Sequence, residues 1–203
     1  MKVAIIQYNA GNVQSVLYAL QRLGVNAVIT DDPGEITRAD KVIFPGVGNA
    51  SSAMEHLKKA GLDEVIVSLQ QPVLGICLGL QLLCNQSEEG DTKCLGIFDV
   101  MVKKFQNSRQ NENSSSSFKI PHMGWNTISN LSSPLFTGIK ENSFVYYVHI
   151  YYAELSRETI DTTDYIIPYS AAIQQNNFYG VQFHSEKSAD TGIQIISNFL
   201  KIV

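Results

Sequence analysis

Positive charge is scarce in this chain. Fifteen lysines and arginines face 19 aspartates and glutamates, a formal net charge of -4. That balance argues against nucleic acid as a partner, because phosphate backbones need a concentrated cationic surface. No stretch approaches the roughly 18 uninterrupted apolar residues of a membrane span. The opening run MKVAIIQYNAGN is too short for a secretory signal and has no small-residue cleavage site, so no membrane and a cytoplasmic location are expected. There are three cysteines, Cys77, Cys84 and Cys94, and no CxxC pair. An odd count without such a pair argues against a disulfide framework or a zinc ribbon. No motif points to a metal or an organic cofactor, and none is expected.

What is present suffices for a core: 203 residues, 44% of them hydrophobic, fit one domain over residues 1–203. The first half alternates strand-like and helical runs. KVAIIQY, NAVIT, KVIFPGVG and PVLGI read as strands, the third breaking at Pro45-Gly46. Helices are expected in NVQSVLYALQRLG, in ASSAMEHLKKAG, over 63–70 and in LGLQLLCNQS, with Gly24 and Gly61 as stops. This alternation predicts an α/β fold: a mostly parallel central sheet with helices on both faces. In such sheets the active site lies at the carboxyl ends of the strands. The second half predicts an antiparallel extension from GIFDVMVKKF, FVYYVHIYYAEL and YIIPYSAAIQQNNFYGVQFH, then a final helix in TGIQIISNFLKIV. The polar run 106–117, QNSRQNENSSSS, is expected to be a surface loop.

Gly75-Ile76-Cys77-Leu78-Gly79 is a G-x-nucleophile-x-G string, in which a sharp strand-to-helix turn exposes one reactive side chain. The following helix favours a thiolate there, and the free N–H of Leu78 can bind an oxyanion. Cys84 and Cys94 lack such neighbours and read as small buried hydrophobes. Of the four histidines, His56 lies on a solvated helix, while His184 ends an apolar strand two residues before Glu186. If the chain stays extended there, both side chains project to one side. Glu186 can then orient the imidazole of a base, completing a triad with Cys77. FPGVG ends another strand, where a backbone N–H can supply a second oxyanion donor.

Together, FPGVG, GICLGLQLL, PHMGWN, YYVHIYY and GVQFHSEKS resemble a class I (triad) glutamine amidotransferase over nearly the whole chain. The resemblance implies a three-layer, flavodoxin-like fold. It implies that Cys77 attacks the side-chain amide of L-glutamine, with His184 as base and acid. Leu78 and the Gly46-Val47-Gly48 turn would form the oxyanion hole, often after a partner-triggered peptide flip. Gly46, Gln81, Glu89, Tyr146, His149 and Ile150 match the glutamine pocket. His122, Met123, Trp125, Asn126 and Lys187 match the interface with a synthase subunit. PHMGWN and FPGVG point to the subgroup that pairs, as a heterodimer, with a (β/α)8 cyclase of histidine biosynthesis.

Two residues depart from the family pattern: Ser185 replaces a proline, and Ile150 replaces a serine or threonine. They motivate an alternative partner, a sugar-amidating synthase of surface-polysaccharide synthesis. A non-catalytic scaffold and a cysteine peptidase are the remaining readings; the intact triad types disfavour the first, and Gln81 and Glu89 the second.

Overall fold

The computed structural model describes residues 1–8, 12–106 and 118–203; all of the expected 106–117 loop except Gln106 lies outside them. The first half runs β1 (Val3–Ile6), α1 (Val13–Arg22), β2 (Ala27–Thr30), α2 (Pro33–Thr37), β3 (Lys41–Gly46), α3 (Ala50–Ala60), α4 (Leu62–Ser68), β4 (Val73–Cys77) and α5 (Leu78–Leu83). Every residue of β1, β3 and β4 is buried, as expected of strands covered on both faces. Helix α3 starts where Asn49 accepts from the N–H groups of Ser51 and Ser52, and stops at Gly61, φ 68°. The short α2 was not among the expected helices. Its signals are nonetheless local: Asp32 caps it, accepting from Glu35 N, and Pro33 opens it.

The second half supplies β5 (Gln86–Ser87), β6 (Thr92–Lys93), β7 (Met101–Lys104), β8 (His122–Thr127), β9 (Phe144–His149), β10 (Tyr151–Ala153), β11 (Thr159–Asp164), β12 (Pro168–Gln175), β13 (Phe178–Val181) and α6 (Ala189–Lys201). Among the described residues, the large sheet has the order β2-β1-β3-β4-β13-β12-β10-β7-β5-β6, with β11 beside β12. From β2 to β13 its neighbours are parallel; β12 begins a part that is antiparallel except between β7 and β5. One face packs on α2, α3, α4 and α5. The other packs on α1, α6 and the antiparallel β8-β9 pair. No helix among the described residues is long and apolar enough to cross a membrane.

Two expectations change, and two further features were not foreseen. The strand in KVIFPGVG does not break at Pro45; it runs through Gly46, which pairs with Cys77. FVYYVHIYYAEL is two strands, not one: the chain bends at Ile150, and β9 and β10 join different sheets. PHMGWN is largely strand β8. Strand β13 pairs antiparallel with β12, as expected, and with its other edge joins the parallel strands beside β4, and so delivers the chain after it to the catalytic edge.

Candidate active site

Cys77 occupies the sharp bend between β4 and α5, at φ 54° and ψ -108°. A non-glycine residue held there costs about 1–3 kcal/mol, so its surroundings must impose it. Gly79 does much of this: a Cβ there would collide with the Phe44 carbonyl of β3. Helix α5 can therefore lie directly on the sheet, with Cys77 at its head. Leu78 is its first residue, and the first N–H groups of a helix lack intrahelical partners.

The parallel register Val181↔Ile76 brings the end of β13 beside the Cys77 bend. His184 follows, anchored by its N–H to Tyr146 O at 2.9 Å. Ser188 Oγ donates to His184 O at 2.7 Å and accepts from Tyr146 N at 2.9 Å. His184 Nδ1 lies 2.8 Å from Glu186 Oε1. The pair does not meet along an extended chain: Ser185–Lys187 form a 3-10 turn that folds Glu186 back onto the ring. Asn12 Nδ2 donates to the same Oε1 at 2.8 Å. Burial opposes charge on His184, but Cys77 and Glu186 outweigh it and raise the ring to about 10. Among the described residues His184 Nε2 is buried with no hydrogen-bond partner.

Cys77 and His184 open onto one cavity of about 280 Å³, whose wall includes Val47, Gly48, Leu78, Gln81, Glu89, Val148, His149, Ile150 and Tyr151. Gly48 has φ 110°. Glu89 Oε2 accepts from Ala50 N, at the start of α3, at 2.6 Å. Gln81 Nε2 donates to Tyr151 O at 2.9 Å. His149 Nδ1 lies 2.8 Å from the same carbonyl. A carbonyl only accepts, so Nδ1 carries the proton and Nε2 is left as acceptor for His122 Nδ1 or the Tyr169 hydroxyl. Burial pushes His149 down to about 3 and His122 to about 4, so both rings are neutral.

Two residues matched to the pocket lie off its wall. Gly46 is packed against Leu78 and Tyr8, and the Tyr146 ring leans edge-on against Trp125, 5.9 Å away. Of the residues matched to an interface, Met123 and Trp125 are 62% and 52% exposed, and Lys187 is exposed too. His122 is not on that face. Alternation along β8 turns it inward, where its ring stacks on Tyr165 and Tyr147 with centroids 3.8 and 4.6 Å away. Asn126 is half-buried and donates to Asp164 O. Phe144, 60% exposed, adds to the apolar face, although no sequence motif singled it out. Asn12 and Gln182 were missed as well. A polar residue inside the apolar run GVQFH, and an asparagine in the turn after β1, were the available signals.

The fold and this cavity together describe an α/β enzyme with a cysteine at a strand-to-helix elbow. The family model for glutamine amidotransferase class-I matches residues 4–203, and the chain belongs to that family. It is 57% identical over 202 residues, the full length of both chains, to a Bacteroides fragilis protein named imidazole glycerol phosphate synthase subunit HisH. Proteins of the same name from Bacteroides thetaiotaomicron and Yersinia pestis are 55% and 45% identical, again over both full lengths. Among solved structures, one described as part of a putative GMP synthase, from Thermoplasma acidophilum, superposes with TM-score 0.73 at 20% identity. The match covers 99% of this chain and 92% of that one. A crystal structure of a glutamine amidotransferase gives TM-score 0.73 at 15% identity, covering 98% and 97%. These likenesses carry the fold.

Proposed function

We propose that this chain hydrolyses L-glutamine to glutamate and ammonia through a thioester on Cys77. It passes the ammonia to a (β/α)8 cyclase subunit that forms imidazole glycerol phosphate and aminoimidazole carboxamide ribonucleotide for histidine synthesis. The observation that carries the reading is the Cys77 elbow and the His184–Glu186 pair opening on one cavity. The names of full-length relatives at 55–57% identity favour the histidine-pathway partner over a sugar-amidating synthase. Residues 1–203 act as one domain, in the cytoplasm.

In the resting site His184 is a cation facing the Cys77 sulfur, and the attacking form of that sulfur is the thiolate. The sulfur attacks the substrate's amide carbon, and the carbonyl electron pair moves to oxygen. That oxyanion takes the Leu78 N–H and a peptide N–H of the turn at Val47 and Gly48. His184 Nε2 gives its proton to the leaving nitrogen as the C–N bond breaks, and ammonia departs. A water then loses a proton to Nε2 and attacks the thioester; the C–S bond breaks, and glutamate and the thiolate remain. Glu186 holds the ring throughout. Glu89 takes the substrate's ammonium, and Gln81, His149 and Ile150 shape the rest of the pocket. Met123, Trp125, Asn126, Lys187 and Phe144 meet the cyclase, with His122 supporting that strand from beneath.

The test is glutamate release by the purified chain, first alone and then with a histidine-pathway cyclase carrying its ribonucleotide ligand. Strong stimulation that Cys77→Ala abolishes is expected. Release unaffected by the cyclase would overturn the partner, and none under either condition would overturn the glutaminase.

A further inference from the structure

Behind Cys77 lies an amide that the reaction above does not use. Gln182, just past β13, is fully buried. One end of its side chain lies 3.7 Å from Cys77 Sγ, the other 3.0 Å from Gln81 Nε2. A third group orients both amides. Gln81 Nε2 is also 2.9 Å from the main-chain carbonyl of Tyr151. That carbonyl can only accept, so the Gln81 atom facing it is the NH₂ group. With two hydrogens it serves both Tyr151 and Gln182. The Gln182 atom it meets is therefore the oxygen, and the Gln182 NH₂ group points at the sulfur. On another side the sulfur faces Val148 O at 4.0 Å, an acceptor that suits only the protonated thiol.

We propose that Gln182 belongs to the reaction centre, where its amide N–H donates to the Cys77 sulfur and stabilises the thiolate before substrate enters. The proposal rests on Cys77 being the nucleophile of the function proposed above. Hydrogen bonds to an ionised partner are stronger than neutral ones, and this one opposes the Val148 carbonyl. The same donor receives the sulfur when the thioester C–S bond breaks. Packing alone does not call for glutamine here, since a buried amide without partners is costly and methionine has a similar shape. The chain Tyr151–Gln81–Gln182–Cys77 also ties the sulfur to the pocket wall at Ile150 and Tyr151.

The experiment is the rate of iodoacetamide alkylation of Cys77 against pH in the full chain, with Cys77→Ala as background for Cys84 and Cys94. Gln182→Met keeps the volume and removes the donor. Its alkylation near neutral pH should be about tenfold slower, reaching the wild-type rate in alkali, as the loss of one hydrogen bond to a charged group implies. Gln182→Glu can still accept from Gln81 but presents an anion to the sulfur, and should be slower still. A Met curve superimposed on wild type, or lowered equally at every pH, overturns the proposal. Should Gln182→Met fail to fold, a Gln182→Glu curve equal to wild type overturns it instead. Glutamate release is followed in parallel. Wild type that alkylates at Cys77 yet releases no glutamate, alone or with the cyclase and its ribonucleotide ligand, defeats the proposed function and leaves the donor standing. Wild type that releases glutamate, with unshifted variants, defeats the donor alone.

Discussion

Glu186 holds His184 through a single carboxylate oxygen. Oε1 lies 2.8 Å from His184 Nδ1 and 2.8 Å from Asn12 Nδ2, while Oε2 is buried without a partner among the described residues. The imidazole is thus oriented by a group that is itself held from α1's threshold. Glu186→Gln replaces the acceptor by an amide that can favour the wrong tautomer, and glutamate release should fall on the order of 10³-fold or more. Asn12→Ala, which only loosens the carboxylate, should cost about tenfold. Steady-state kinetics separates the two.

Glu89 serves two structures at once, the cavity wall and the first N–H of α3. Glu89→Gln can still accept from Ala50 N, so the helix keeps its start. The charge that would meet the substrate ammonium is gone, and KM for glutamine should rise about 10–100-fold with stability little changed.

The histidines predict stability limbs of opposite sign. Cys77 and Glu186 overcome burial and raise His184 from 6.5 to about 10. Between those values the folded chain keeps a proton that the unfolded chain has lost, so this contribution is complete below about 6.5 and disappears as pH rises toward about 10. Burial lowers His122 to about 4 and His149 to about 3. The unfolded chain therefore binds these protons first, and stability falls as pH drops below about 6.5. Urea titrations across pH should show a maximum near neutrality. Cys77→Ala should flatten the alkaline limb, and His122→Asn the acid limb.

Gly192 in α6 lies against the Ser185 carbonyl, and a Cβ there would collide with it. Gly192→Ala must push α6 away from the turn that carries Glu186. We expect about 1–3 kcal/mol of destabilisation by chemical denaturation, with a fall in glutamate release.

Met123, Trp125 and Phe144 form an exposed apolar face on β8 and β9. Trp125→Ala should weaken cyclase binding by at least about 30-fold, as loss of a central aromatic anchor does. Its Cys77 alkylation rate in the isolated chain should match wild type. A titration followed by calorimetry reads the first, and the alkylation assay the second.

How much was legible depended on whether the cause was local. Buried parallel strands show as VAII and VLGIC, helix stops as Gly24 and Gly61, and the elbow as glycines flanking Cys77, because each answers to its own neighbours in the chain. Even α2, absent from the expected helices, carries its signal in Asp32 and Pro33. The inward turn of His122 was hidden: an alternating strand has two faces, and only the stacking of its ring on Tyr147 of β9 and on Tyr165 shows which is covered. The bend at Ile150 was hidden as well, since β-branched and aromatic residues suit either sheet equally.

By itself the sequence determined the α/β alternation, the thiol at the strand-to-helix turn, and the residue types of Cys77, His184 and Glu186. Tertiary structure decided that β13 runs parallel beside β4, bringing His184 to Cys77, and that a 3-10 turn rather than an extended strand presents Glu186. It also decided that Gln182, Gln81 and the Tyr151 carbonyl share one line of hydrogen bonds. The division follows from what each feature requires. Strand and helix preferences act within a few residues, whereas strand order and the direction of a buried amide exist only once segments a hundred residues apart have packed.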